Sequence, residues 1–179
     1  MFNNGVIPAI SNYKNLDLFL NTEHIYGVIL DFHINHLSDI INKMHKNNKK
    51  VFVHIDMIHG LANDKYGTEY LCQKLKVDGI ISTKPNALLA AKANNCLAIQ
   101  RIFLIDSTSL KKSIDLVNKI QPDYLEVLPA LASKIFTTIE SQIDIPVIGG
   151  GLIVDKEDIK NCLDNGLVAV TTGKKSLWC

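Results

Sequence analysis

The chain has 179 residues, 47% of them apolar, and a formal net charge of +1. That length fits one domain spanning residues 1–179, and near-neutrality excludes the strong basic excess of a dedicated nucleic-acid-binding domain. No apolar run reaches the roughly 20 residues that a membrane-spanning helix needs. Met1–Pro8 also lacks the basic start and apolar core of a signal peptide, so a cytoplasmic protein with no membrane partner is expected.

The predicted elements alternate along the whole chain. Residues 6–10 read as a strand and 14–22 as a helix. Residues 26–33 read as the second strand, with Asp31 and His33 on one face by the two-residue period. Helix 36–48 runs into the cluster Lys43, Lys46, Lys49 and Lys50, which a solvated face explains. Strand 51–57 sets His54 and Asp56 on one face above Phe52, and helix 66–75 follows. Strand 78–83 leads into Ser82, Thr83 and Lys84, and Pro85 suits the first turn of helix 86–95. Strand 97–103 holds Gln100 and Arg101, the one arginine of the chain, whose rigid fork suits carboxylate or phosphate as lysine does not. Ser107, Thr108 and Ser109 can cap helix 109–120, and strand 124–128 holds Glu126. Helix 131–141 and strand 146–149 come next. Helix 156–165, capped by Asp155 and followed by Gly166, and strand 168–172 complete the series. Pro122, Pro129 and Pro146 fall at element edges.

Eight β units alternating with α units predict an α/β fold, a compact TIM-like (β/α)8 barrel with a truncated last helix. An open flavodoxin-like sheet is the alternative. The last helix, residues 174–179, is little more than one turn. Its shortness predicts apolar barrel wall left bare and hence a homo-oligomer.

Two apolar strands end in glycine, Pro146-Val147-Ile148-Gly149-Gly150-Gly151 and Val168-Ala169-Val170-Thr171-Thr172-Gly173. In a barrel these are the seventh and eighth strands, whose loops commonly hold phosphate. Gly150, Gly151, Thr172, Gly173 and Lys174 are therefore the candidate phosphate ligands. Asp31, His54, Asp56, Lys84, Gln100, Arg101 and Glu126 lie toward the C-terminal ends of other strands and are the candidates for the rest of the molecule. Carboxylates and amides suit hydroxyl groups, so a phosphorylated polyol or sugar fits. His54 beside Asp56 can serve as a base, and Lys84 as a Schiff-base lysine, but ligand binding without turnover needs the same groups. Asp31, Asp56 and Glu126 can hold Mg2+, although no metal-spacing motif is present. No catalytic residue and no cofactor is assigned. Cys72, Cys96, Cys162 and Cys179 match neither a zinc pattern nor a disulfide framework, and reduced thiols are expected.

Several stretches resemble one family closely. They are Val51-Phe52-Val53-His54-Ile55-Asp56-Met57-Ile58-His59-Gly60, Asp64-Lys65-Tyr66-Gly67-Thr68-Glu69-Tyr70 and Gly79-Ile80-Ile81-Ser82-Thr83-Lys84. Ala98-Ile99-Gln100-Arg101-Ile102-Phe103-Leu104, Pro122-Asp123-Tyr124-Leu125-Glu126-Val127-Leu128-Pro129 and Val168-Ala169-Val170-Thr171-Thr172 join them. Together they resemble the glycerol-3-phosphate-responsive antiterminators of bacterial glycerol uptake operons, from about Ile7 to Trp178. The resemblance implies a small barrel with glycerol 3-phosphate as effector and a leader mRNA as partner. It implies transcription past a terminator when the effector is bound. Gly173-Lys174-Lys175 is more basic than the family pattern. A sugar-phosphate-processing barrel enzyme of aldolase, isomerase or phosphodiesterase type is the competing expectation.

Overall fold

The computed structural model describes Phe2 and residues 5–178, with Ser133 and Lys134 described in backbone alone. Cys179, where the predicted last helix ends, lies outside the described residues. Eight parallel strands close into a barrel in chain order. They are β1 (Val6–Ile10), β2 (Tyr26–Ile29), β3 (Lys50–His54), β4 (Gly79–Ser82), β5 (Leu97–Phe103), β6 (Tyr124–Leu128), β7 (Val147–Gly150) and β8 (Ala169–Thr172). The intervening helices are α1 (Tyr13–Leu20), α2 (Ile34–Lys46), α3 (Lys65–Glu69), α4 (Pro85–Ala93), α5 (Ser107–Ile120), α6 (Ser133–Glu140) and α7 (Lys156–Asp164). Among the described residues, no helix is long and apolar enough to cross a membrane.

Strand alternation divides the core in two. Val6, Ile10, Val51, Val53, Ile80, Ala98, Ile102, Leu125 and Val127 face the helices in the larger cluster. Ile7, Val28, Phe52, Ile81, Ile99, Ile148 and Ala169 fill the barrel interior, one from each strand except β6. Tyr124 of β6 packs below them, and Glu126 lies two residues further along the same face. The floor is aromatic: the Phe2 ring meets Tyr26 at 5.2 Å and Tyr124 at 5.7 Å, both edge-on.

Local departures from the sequence pattern have physical causes. The second strand stops at Ile29 because Asp31 takes a left-handed φ of 64°, so Asp31 and His33 do not share a strand face. His33 instead caps α2, its Nδ1 accepting the Asn35 N–H at 3.3 Å. The third strand stops at His54, and Ile55–Met57 turns in a 3-10 conformation that carries Asp56 away. Asp106, rather than the serines after it, caps α5: its carboxylate accepts the Ser109 N–H at 2.7 Å while Ser109 Oγ accepts the Asp106 N–H at 3.1 Å. Asp155 caps α7 as expected, accepting the Asp158 N–H at 2.9 Å. Gly67 of α3 is needed for space: a Cβ there would lie 1.9 Å from the Ala62 carbonyl oxygen.

Among the described residues, the wall beyond β8 that was expected to be bare is covered. After a short 3-10 turn at Lys175–Leu177, Trp178 folds back and is only 2% exposed. Its indole N–H donates to the Thr172 carbonyl at 2.9 Å, and its own carbonyl lies 3.0 Å from His24 Nε2. One large side chain thus does the covering of the missing helix, with Leu177 beside it at 7% exposure.

Candidate binding site at the barrel mouth

The C-terminal ends of the strands carry a buried polar cluster centred on Glu126. Its side chain is fully buried, and Arg101, its register partner on β5, donates from Nε to Glu126 Oε2 at 2.6 Å. Thr171 of β8 donates from Oγ1 to Glu126 Oε1 at 2.6 Å. Only Nε of the guanidinium meets Glu126, which leaves the terminal nitrogens for a further acceptor.

The Thr171–Glu126 bond passes over β7, and this accounts for Gly150. A Cβ at Gly150 would stand 2.7 Å from Thr171 Oγ1 and 3.2 Å from Glu126 Oε1. The glycine makes room for a side-chain bond between its two neighbouring strands.

His54 completes the cluster from β3. It is 2% exposed, and among the described residues its Nδ1 has no hydrogen-bond partner. Burial, then the nearby positive charge of Arg101, lowers its pKa to about 4, against the opposing pull of Glu126 and Asp56. The imidazole is therefore neutral at pH 7, a polar group able to serve a ligand hydroxyl or phosphate oxygen.

The other nominated residues are placed apart from this centre. Asp56 is spent on local structure: it accepts from Ser82 Oγ at 2.6 Å and from the Thr83 N–H and Oγ1 at 2.7 and 2.9 Å. Asp31 is exposed and pairs with His59 at 2.9 Å. Lys84 is exposed at the N-cap of α4, its N–H on Ser82 Oγ at 2.9 Å. Gln100 alternates with Ile99 and Arg101, so it takes the helix-facing side of β5 with Ala98 and Ile102. Asp31, Asp56 and Glu126, each with different partners, are not gathered as a metal site. Among the described residues no group of three or more His, Cys, Asp or Glu side chains is.

On the phosphate side, Gly151 and Gly173 are exposed. A Cβ at Gly173 would meet nothing nearer than the Ala9 carbonyl oxygen at 3.8 Å. Lys174 Nζ donates to the Val154 carbonyl, tying the loop after β8 to the loop after β7. Thr172 alternates away from the interior, and its Oγ1 accepts the Lys174 N–H at 3.1 Å. Thr171, two residues from the interior Ala169, is the threonine that points inward. Strand alternation was the signal that would have picked it over Thr172.

Comparison with known proteins agrees across nearly the whole chain. The family model for glycerol-3-phosphate responsive antiterminators matches residues 6–178. The structure is similar to that of a glycerol uptake operon antiterminator regulatory protein from Listeria monocytogenes, at 39% identity and a TM-score of 0.95, covering 98% of this chain and 95% of that one. It is also similar to a glycerol uptake operon antiterminator-related protein from Thermotoga maritima, at 28% identity and a TM-score of 0.84, covering 99% of both chains. An uncharacterised Escherichia coli K12 protein, YgcP, is 33% identical over 175 residues, 98% of this chain and 92% of that one.

Two outcomes follow for the cluster. Gly150→Ala should lose about 1–3 kcal/mol in denaturant unfolding, because it drives Thr171 off Glu126 and strands a buried acceptor; unchanged stability would contradict the crossing bond. His54 sets an acid dependence. The unfolded imidazole takes up a proton near pH 6.5, while the folded one refuses it until about 4. Stability therefore falls on acidification through that window, by at most about 1.4 kcal/mol per pH unit. His54→Gln should show a shallower fall than the parent across the same window, and parallel curves would remove His54 as the cause.

Proposed function

Since the chain belongs to the glycerol-3-phosphate responsive antiterminator family, we propose that it senses glycerol 3-phosphate at the barrel mouth. When loaded, it acts on the leader mRNA of a glycerol operon so that transcription passes a terminator. The match over residues 6–178 is the observation that carries this reading. The phosphate sits against the exposed backbone of Gly151 and Gly173 with Lys174 nearby, and the glycerol hydroxyls turn toward His54, Arg101 and Glu126. The Glu126 oxygens each keep a lone pair beyond the bonds from Arg101 and Thr171, and the Arg101 terminal nitrogens are free to donate. The same groups serve recognition without turnover, so the protein is a regulator and needs no cofactor.

Titration calorimetry with glycerol 3-phosphate tests the site. Gly173→Leu places its side chain in open space and should leave unfolding unchanged while weakening affinity at least about tenfold, or about 1.4 kcal/mol. Unchanged affinity would move the phosphate elsewhere, and product formation from the ligand would favour the sugar-phosphate enzyme. The RNA step has its own signature. Affinity of the loaded protein for the leader RNA should fall linearly on a log–log plot against salt, because each phosphate contact releases counterions. A flat salt response would exclude direct contact with the RNA backbone.

A further inference from the structure

Residues 40–55 hold four lysines and no carboxylate, and two more lysines follow at positions 74 and 76. The fold brings these segments together at the N-terminal end of the barrel, away from the mouth. Helix α2 ends at Lys46, the π-helical turn Tyr70–Lys74 after α3 ends at Lys74, and Lys50 opens β3. Between them lies a surface hollow of about 540 Å3, lined by His45, Asn48, Lys49, Lys50, Lys76 and Asp78. None of these six residues is apolar.

Positive charge in the hollow exceeds negative. Asp78 is the one carboxylate in the lining, and it is already engaged. Its Oδ1 accepts from Lys50 Nζ at 2.8 Å, and its Oδ2 accepts the Val51 N–H at 2.9 Å and lies 3.1 Å from His45 Nε2. Lys43, further back on α2, is paired with Asp17 at 2.6 Å. Lys46, Lys74 and Lys76 are exposed, and among the described residues none of them has a carboxylate partner. Lys49 is buried, with Nζ on the Thr22 and His24 carbonyls at 2.6 and 2.8 Å and no counter-charge. The lysines are not needed to finish α2. The Asn47 and Lys49 N–H groups meet the Met44 carbonyl and the Asn48 N–H meets that of His45, each at 3.0 Å.

We infer that this hollow and the lysines at its rim are a docking surface for the sugar–phosphate backbone of RNA. The choice of RNA rests on the proposed antiterminator function, which leaves the contacting surface unplaced; the charge locates it. Phosphodiesters carry one negative charge per nucleotide and are met by lysine ammonium groups with release of counterions. The core of a protein interface or an interfacial membrane contact draws on aromatic or aliphatic anchors, and this lining has none. A net charge of +1 for the chain is compatible with the surface because the lysines are gathered on one part of it. Contacts of this kind fix the position of the RNA and carry no base specificity. Lying at the opposite end from the mouth, the surface leaves room for effector and RNA to be bound together.

Fluorescence anisotropy of a dye-labelled, mixed-sequence RNA hairpin with single-stranded flanks tests this, with glycerol 3-phosphate present and across a salt series. The variant carries Lys46→Gln, Lys74→Gln and Lys76→Asn, with asparagine chosen because position 76 has a left-handed φ of 59°. It should bind at least about tenfold more weakly than the parent, with a salt slope lower by about 2, roughly 0.7 for each lost phosphate contact. Its unfolding midpoint and its affinity for glycerol 3-phosphate should match the parent's. A control with Lys111→Gln, Lys112→Gln and Lys119→Gln on α5 loses the same charge and should bind the RNA as the parent does. Equal weakening in the two variants, or parent-like binding in both, overturns this surface and leaves the antiterminator function standing. No RNA binding by the parent, or binding to phosphatidylserine vesicles in its place, overturns the surface and the direct RNA step together.

Discussion

The constraint on which the mouth depends is the complete burial of the Glu126 carboxylate. Taking an ion of that size out of water costs several kcal/mol unless its charge and lone pairs are met. Here both oxygens are met, one by Arg101 at 2.6 Å and one by Thr171 at 2.6 Å. Those partners come from the strand beside β6 and from the strand two places beyond it, so one side chain links β5, β6 and β8. Glycine at position 150 lets the link pass, and the charge of Arg101 helps to keep His54 neutral. A single ionised group thereby sets a residue identity on β7 and a protonation state on β3.

This arrangement separates two roles that glycine plays around the mouth. Gly150 is required by the protein's own packing, whereas Gly173 borders open space and is free to serve whatever approaches from outside. The polar strand ends divide in the same way. Asp56 is committed to Ser82 and Thr83, holding the start of α4, while Arg101 meets Glu126 through Nε alone and, among the described residues, His54 Nδ1 has no hydrogen-bond partner. The second group is the one that the proposed binding of a small phosphorylated polyol would use.

The barrel was legible from the sequence because parallel strands covered on both faces read as apolar runs, and turns between them carry proline, glycine or a capping residue. Arg101 and Glu126 were each legible as a charge inside such a run, but their pairing was not. Less legible was direction at strand ends. Asp31 and Asp56 looked like continuations of a strand face, but a left-handed φ at one and a 3-10 turn at the other carried them off. Gln100 and Thr172 take the helix-facing side of their strands, because one residue of alternation reverses the face, and their short strands give no sequence signal for which face is which. Thr171 passed unnoticed because its role depends on a partner 45 residues away.

Trp178 replaces a helix, and it is also the one tryptophan of the chain. Its indole N–H rests on the carbonyl of Thr172, the last residue of β8, in an almost dry setting. Indole emission shifts with local polarity and hydrogen bonding, and here every photon comes from the same place. The protein therefore has a label-free optical reporter built onto the strand that leads into the proposed phosphate loop. Small movements of that loop could be followed by stopped-flow fluorescence without attaching a dye to a chain of this size.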